Sequence, residues 1–453
     1  MERLLPHSPS ALRDAIPIYC VREKDAEFGG APESLRRLAG RNRFEGDAGQ
    51  WLVGDEGVLF GIGGGRDPLI AAALGDRLPA GAYYFADQVN SENATLTCFA
   101  WLLGGYRFST YKSLRAAEAV LVAPAHADIA EAQRAYAAVR LVRDLVNTPA
   151  GDMTPAALES AAAIIAENAN VDLNSIVGDD LLTENYPMVH AVGRAADAGP
   201  RIVEFVWGDP DAPKVTLVGK GVCFDSGGLN IKGSGGMALM KKDMGGAAHV
   251  LALSQMIIDA GLNVRLRTIA PLVENAIAGN AFRPGDILKT RKGITVEIGN
   301  TDAEGRLILG DALVRAGEDD PELTISMATL TGAARVAVGP ELAPYYCDDN
   351  SLCAGLEKAA EAQSDPVWRM PLWRNYASML SSKVADINHI SSGGFAGSIT
   401  AALFLQRFAP ATGVWMHFDI YAWRPSAAPG RPVGGEAQGV RAIFAMLAER
   451  YGA

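Results

Sequence analysis

The sequence predicts an α/β protein of two unequal parts. A small N-terminal α/β domain covers residues 1–126, a long connecting helix covers 127–147, and a larger α/β domain with a mostly parallel, doubly covered sheet covers 148–453. Three observations predict this. At 453 residues the chain is long enough for two or three domains with sizeable cores. Short apolar runs alternate with helical patterns, and several runs are apolar on both faces, as strands covered on both sides must be. Between the two parts, an Ala-rich stretch carrying Arg134, Arg140 and Arg143 meets no breaker until Asn147-Thr148-Pro149-Ala150-Gly151.

The elements follow in order. Val58–Gly65 reads as a strand running into a glycine-rich loop, Ala82–Ala86 and Ala119–Ala123 as further strands, and Ala94–Leu103 as a helix. The loop Gly61-Ile62-Gly63-Gly64-Gly65 invites a phosphate or dinucleotide reading. It lacks the GxGxxG spacing and an acidic residue closing a βαβ unit, so a structural turn is the better reading. Thr154 caps a helix over Pro155–Asn168, with Pro at its first position. From about residue 200 the alternation is regular. Strands are expected at Val203–Trp207, Val215–Gly219, Val264–Ala270, Ile294–Ile298, Leu323–Thr329 and Val414–Ile420. Helices are expected at Gly245–Ala260, Leu307–Gly317 and Ser398–Phe408, and Glu318-Asp319-Asp320 reads as a solvated acidic turn.

Charge and cysteine usage narrow the function. The net charge of −11 argues against nonspecific nucleic-acid binding, because no broad basic surface is implied. Cys20, Cys98, Cys223, Cys347 and Cys353 are odd in number and include no CxxC. That argues against a disulfide framework or a thiolate zinc site and fits a reducing cytoplasm. The start, Met1 to His7, is followed by no long apolar run, so no signal peptide is expected, and no run reaches the roughly 18 apolar residues of a membrane span.

Open α/β sheets bind ligands at the carboxyl ends of their strands. Three such ends carry unusual polar residues. The first runs from Val218 to Gly228 with Lys220 and Asp225, and Lys232 follows. The second, Met240 to Gly246, carries Asp243. The third is Asn300-Thr301-Asp302-Ala303-Glu304-Gly305-Arg306-Leu307. Asp302 and Glu304 are two apart, and in an extended chain both would point to one side. Adjacent carboxylates need a cation between them or a shared proton. The bland alternative is a solvated acidic turn at a helix start. Other chemistries fail on their own terms. Gly221 follows Lys220 where a P-loop needs Ser or Thr; HExxH and GxSxG are absent; and His7, His126, His190, His249, His389 and His417 do not cluster. What remains is a carboxylate-rich site able to hold two divalent cations, with Lys232 and Arg306 to stabilise oxyanion charge. Metal-assisted hydrolysis follows, with peptide and phosphate ester both open.

At these residues the sequence resembles the leucyl aminopeptidase (cytosol aminopeptidase) family. Asn300 to Leu307 reads as its signature octapeptide, and the GKGxxFDSGGxxIK pattern at 219–232 and MKKDMGGA at 240–247 are similar to its other motifs. Ala328 to Ala333, Ile399 to Leu405 and Asp144 to Asn147 add further agreement. The resemblance implies that Lys220, Asp225, Asp243, Asp302 and Glu304 hold two divalent cations (Zn, Mn or Mg), with Asp225 and Glu304 bridging. Lys232 would polarise the scissile carbonyl. Arg306 would hold a bicarbonate acting as general base on the bridging water. Met240, Thr329, Leu330 and Gly332 would surround the substrate's first side chain. It further implies small peptide substrates with a free α-amine, a homo-hexamer and a cytoplasmic location. Two segments depart from the family pattern, Tyr421-Ala422-Trp423-Arg424-Pro425 and Pro432 to Ala442, which puts a Leu-like preference in question. A two-metal phosphoesterase and a moonlighting nucleic-acid-binding regulator are the alternatives.

Overall fold

The computed structural model describes residues 3–25, 28–86 and 93–452; Met1 and Glu2, which open the segment read for a signal peptide, lie outside them. The chain divides into two compact units. One is Met1–Arg140 with Ser426–Val433, and the other is Leu141–Pro425 with Gly434–Ala453. The division falls inside one helix, Ile129–Asn147.

The first unit is built on a six-stranded sheet. Its order is Leu4–Leu5, Ala119–Val122, Gly81–Phe85, Ile16–Arg22, Gly57–Gly63, Trp51–Gly54. Every neighbouring pair is parallel except the last, a hairpin. The helix Ala94–Gly104 is apolar all round and buried almost throughout, so it supplies core rather than a solvent face. The glycine loop has structural causes: a Cβ on Gly61 would overlap the Asp47 carbonyl oxygen, and Gly63 and Gly65 take φ of 56° and 68°. Late in the chain, Ser426–Val433 returns to this unit. Arg431 pairs with Asp67 at 2.9 Å, and Gly430 packs against Ala72 and Leu103.

The second unit carries a nine-stranded mixed sheet. Its main path runs Val367–Arg369, Ala343–Cys347, Val414–Asp419, Leu323–Ala328, Lys214–Gly219, Arg265–Asn275, Arg201–Trp207, Asn174–Val177. Gly221–Asp225 pairs additionally with Arg265–Asn275. The four central strands are parallel to one another, and the antiparallel pairs lie toward the edges. Leu323–Ala328 is buried at every position and Lys214–Gly219 at all but the first, so both faces of the centre are covered. Gly245–Ala260 and Gly305–Gly317 both pack on the central strands.

Two expectations change. The strand expected at Ile294–Ile298 shortens to Thr295–Glu297 and leaves the main sheet, joining Ile287–Lys289 and Ile387–Asn388 in a small sheet of three. Its middle residue alone is buried, a one-faced pattern that a doubly covered sheet cannot use. The acidic turn is also more than solvated. Glu318 pairs with Arg315 of the helix just before it and with Arg291, while Asp319 pairs with Arg265 and Lys214, the last three brought from distant elements.

Candidate metal centre

Four chain segments converge at the carboxyl ends of the central strands. Lys220 stands between the strands Lys214–Gly219 and Gly221–Asp225, and Asp225 ends the second. Asp243 lies on the 3₁₀ turn Met240–Met244. Asp302 lies on the turn Thr301–Ala303, and Glu304 opens the helix Gly305–Gly317. Thr329 follows the strand Leu323–Ala328.

The backbone at 301–304 is not extended, contrary to the alternation argument. The Asn300 side chain accepts from the Asp302 N–H at 2.8 Å and caps a single 3₁₀ turn. The two carboxylates still share a site. One ligand oxygen from each of Asp225, Asp302 and Glu304 lies within 4.8 Å of the others.

Both lysines are seated among these acids. Lys220 Nζ lies 2.7 Å from Asp243 Oδ2 and 3.0 Å from Glu304 Oε1, and donates to the Thr329 carbonyl at 3.0 Å. Lys232 Nζ lies 2.8 Å from Asp225 Oδ2 and also contacts Asp302 Oδ1. Four carboxylates therefore face two ammonium groups, a local surplus of negative charge. Lys220, Asp225, Asp243 and Glu304 are buried, so water cannot screen it. Burial, then Asp243, pushes the Asp225 carboxyl up to about 6; burial, then Asp225, pushes Glu304 up to about 7. Burial pulls Lys220 down, but Asp243, Glu304 and Asp225 outweigh it and hold the ammonium above its ordinary range.

The residues fit divalent cations on an observation of the structure itself. Asp243 Oδ2, Asp302 Oδ1 and Glu304 Oε1 are buried, and each sits at ion-pair distance from a lysine ammonium that it shares with a second carboxylate. Buried carboxylates that outnumber the positive charges beside them are costly unless a further cation joins them. Lys220 and Lys232 stand close by as the nearest available positive charge.

A scaffold holds these carboxylates, and of its members the sequence reading singled out only Thr329, as a pocket residue. Asn275 donates to Asp225 Oδ1 at 2.8 Å and to the Thr301 carbonyl at 3.0 Å, and the Gly227 N–H donates to Asp225 Oδ1 at 2.9 Å. Thr301 and Asn230 exchange hydrogen bonds at 2.8 Å, tying the 225–232 loop to the 300–304 turn. Thr329 Oγ1 donates to Asp243 Oδ1 at 2.8 Å. Asp419 accepts from the Leu330 and Thr331 N–H groups and from the Thr331 and Ser398 hydroxyls. Asp419 was open to the same strand-end argument, since it ends Val414–Asp419. Asn275 was hidden because its strand runs five residues past the expected end at Ala270.

The remaining candidates fall around this centre. Arg306 is buried, its guanidinium lowered to about 10 by that burial, and its Nη1 donates to the His389 carbonyl at 2.7 Å. Its Nε has no partner. Met240 opens the turn that carries Asp243. Leu330 adjoins Thr329, and Gly332 starts the helix Gly332–Val338. His249 is a satisfied core residue: Nδ1 bonds the Gly245 carbonyl at 2.6 Å, and Nε2 accepts from the Gln438 N–H at 2.9 Å.

One glycine is required by the site. A Cβ on Gly305 would stand 2.5 Å from Lys220 Cε. Gly305→Ala is therefore expected to displace Lys220 and lower kcat/KM about 100-fold, the usual scale for misplacement near 1 Å. Steady-state kinetics beside circular dichroism of the variant checks this.

Known proteins share this fold. The model for the cytosol aminopeptidase family catalytic domain matches residues 140–444, and that for the M17 aminopeptidase N-terminal domain matches residues 52–124. A probable cytosol aminopeptidase of Roseiflexus castenholzii is 38% identical over 365 residues, 76% of this chain and 74% of that protein. Peptidase B of Pectobacterium atrosepticum is 40% identical over 316 residues, 68% of this chain and 72% of that protein. Among solved structures, the cytosol aminopeptidase from Coxiella burnetii superposes with a TM-score of 0.93 at 41% identity over 99% of each chain. The bottromycin maturation enzyme BotP in complex with Mn superposes at 0.87 with 33% identity, over 97% of this chain and 99% of that one. The family model spans the four segments that build the carboxylate cluster, and the fold agrees along nearly the whole length: the chain belongs to the cytosol aminopeptidase family of metallo-exopeptidases.

Proposed function

We propose that this aminopeptidase releases the N-terminal residue of small peptides with two divalent cations held by Lys220, Asp225, Asp243, Asp302 and Glu304, Asp225 and Glu304 being shared by both. The observation that carries this reading is the trio of carboxylate oxygens within 4.8 Å of one another, in a cluster where four carboxylates share two ammonium groups. When bound, the cations supply Lewis acidity toward a carbonyl and a water, and an anchor for a free α-amine. The donor set is oxygen-rich with one amine, which suits Zn, Mn or Mg; Lys220 would join it only as the neutral amine, after a nearby divalent charge had displaced the proton that Asp243 and Glu304 otherwise hold on it.

The chain's own groups divide the remaining work. Lys232, half-buried at the rim of the cluster, places a positive charge where an oxyanion develops on the scissile carbonyl. Arg306, with an uncommitted Nε in a buried setting, offers a planar fork to a planar anion such as bicarbonate. Asn275, the Gly227 N–H and Thr329 hold Asp225 and Asp243 in one orientation, so the site is built before substrate arrives.

Exhaustive dialysis against chelator is expected to abolish release of the first residue from aminoacyl amides, and Zn or Mn to restore it. N-acetylated substrates and phosphate monoesters are expected to stay intact. Cleavage that survives chelation, or that ignores acetylation, would overturn the reading.

We also read the chain as a cytoplasmic homo-hexamer. Family membership and five free cysteines support this. Among the described residues no helix is long and apolar enough to cross a membrane. Light scattering at six times the chain mass is the expected result.

A further inference from the structure

The segment Tyr421–Pro425 brings an aromatic ring to the side of the centre that carries Met240 and Gly332. Two cations meet that ring. The Lys242 ammonium lies 4.9 Å from the Tyr421 ring centroid, on a side chain of a residue only 6% exposed. The Arg335 guanidinium lies 4.9 Å from the same centroid. Arg335 Nη2 also lies 3.9 Å from where a Cβ on Gly332 would stand. Lys242 shares its 3₁₀ turn with Met240 and Asp243, and Arg335 shares a helix with Gly332.

Among the described residues, neither cation forms an ion pair or a side-chain hydrogen bond; each has the ring as its contact. The anions around them are committed elsewhere. Asp243 is engaged by Lys220 and Thr329, and Asp419 accepts two backbone N–H groups and two hydroxyls. The neighbouring cations are committed as well. Lys241 Nζ donates to the Asn147 carbonyl at 2.6 Å, and Arg424 pairs with Glu341 at 2.9 Å. Among the described residues Lys242 and Arg335 thus form a positive pair that no carboxylate contacts, Asp243 and Asp419 acting on Lys242 from beyond ion-pair distance. A ring face offers such a pair partial compensation; a carboxylate offers more, through charge-assisted hydrogen bonds and a fork that matches guanidinium.

We propose that this enzyme selects an acidic first residue, with the side-chain carboxylate of an N-terminal glutamate or aspartate received by Arg335 and Lys242 beside the Tyr421 ring. The inference rests on the reading of Met240, Thr329, Leu330 and Gly332 as the pocket for the first side chain. A leucine there would set an apolar group against two unpaired cations and recover none of their desolvation. Selection then works in both directions, by attraction of an acid and rejection of a base.

The test compares kcat/KM of the Mn-loaded enzyme for Glu-, Asp-, Leu- and Lys-amides that share one leaving group. Glu or Asp is expected to exceed Leu by at least about tenfold, with Lys lowest. In Arg335→Met and in Lys242→Met the Glu-to-Leu ratio is expected to fall about tenfold. Arg335 is exposed, so its variant tests the proposal even if the Lys242 change disturbs the neighbouring turn. Leu cleaved as well as Glu by the unchanged enzyme, or a ratio unmoved by Arg335→Met, overturns the acidic selection while aminopeptidase activity stands. Failure to cleave any of the four overturns the underlying reading instead.

Discussion

Asp302→Asn is expected to cost the enzyme its metal content and roughly 10³-fold in kcat together. The substitution keeps shape and removes charge. An amide oxygen is a weaker donor than a carboxylate oxygen, and the amide nitrogen is no donor to a cation at all. The Lys232 ammonium would lose one of its two carboxylate contacts and shift toward Asp225. Asp302 is only half-buried, and its backbone N–H is held by the Asn300 cap rather than by its own side chain, so the fold is expected to survive. Metal content by elemental analysis, kcat at saturating Mn and far-UV circular dichroism separate the effects. A variant that kept both its metal and its rate would remove Asp302 from the ligand set.

Lys232→Ala is expected to give the opposite pattern: metal retained, kcat lowered about 10²–10³-fold, KM little changed. Lys232 is not a donor to a cation while it is charged. Burial lowers its proton affinity, but Asp225 and Asp302 more than offset this and hold the ammonium above its ordinary range. Its absence relieves nothing that a divalent cation needs; it leaves both carboxylates freer to bind one. On the proposed reading, what disappears is positive charge where the carbonyl oxygen would become an anion, a contribution felt in the transition state and hardly in the ground state. Lys232→Arg is expected to recover part of the loss, since charge returns on a bulkier planar group that spreads it away from the Nζ position. Near-normal kcat in the alanine variant would leave the residue only a positioning role.

How far the sequence was legible depended on whether the signal was local. Pro155–Asn168 and Gly245–Ala260 were read to the residue, because a Thr cap and a following Gly mark their ends in the chain itself. The edge strands Asn174–Val177 and Val367–Arg369, and Ala343–Cys347 next to the second of them, were not read. They are short, and what makes them strands is a partner far away in sequence. The same division runs through the metal centre. Its acids and lysines stand beside glycines at predicted strand ends, and the structure gathers Lys220, Asp225, Lys232, Asp243, Asp302 and Glu304 there. The expected route was wrong at 301–304, where a side-chain cap overrode the alternation of an extended chain. The supporting amides and hydroxyls, Asn275, Asn230 and Thr301, carry no pattern of their own. Only the meeting of residues 225–232 with 300–302 gives them a role.

The return of Ser426–Val433 to the N-terminal unit sets a schedule for biosynthesis. A ribosome finishes residues 1–140 early, yet Asp67 must wait for Arg431 and Ala72 for Gly430 until almost the whole chain has emerged. The N-terminal unit therefore cannot complete its packing during translation. A transcript cut short anywhere before codon 426 leaves that unit with a seam open, exposed to proteases, even though every residue of its sheet has been made.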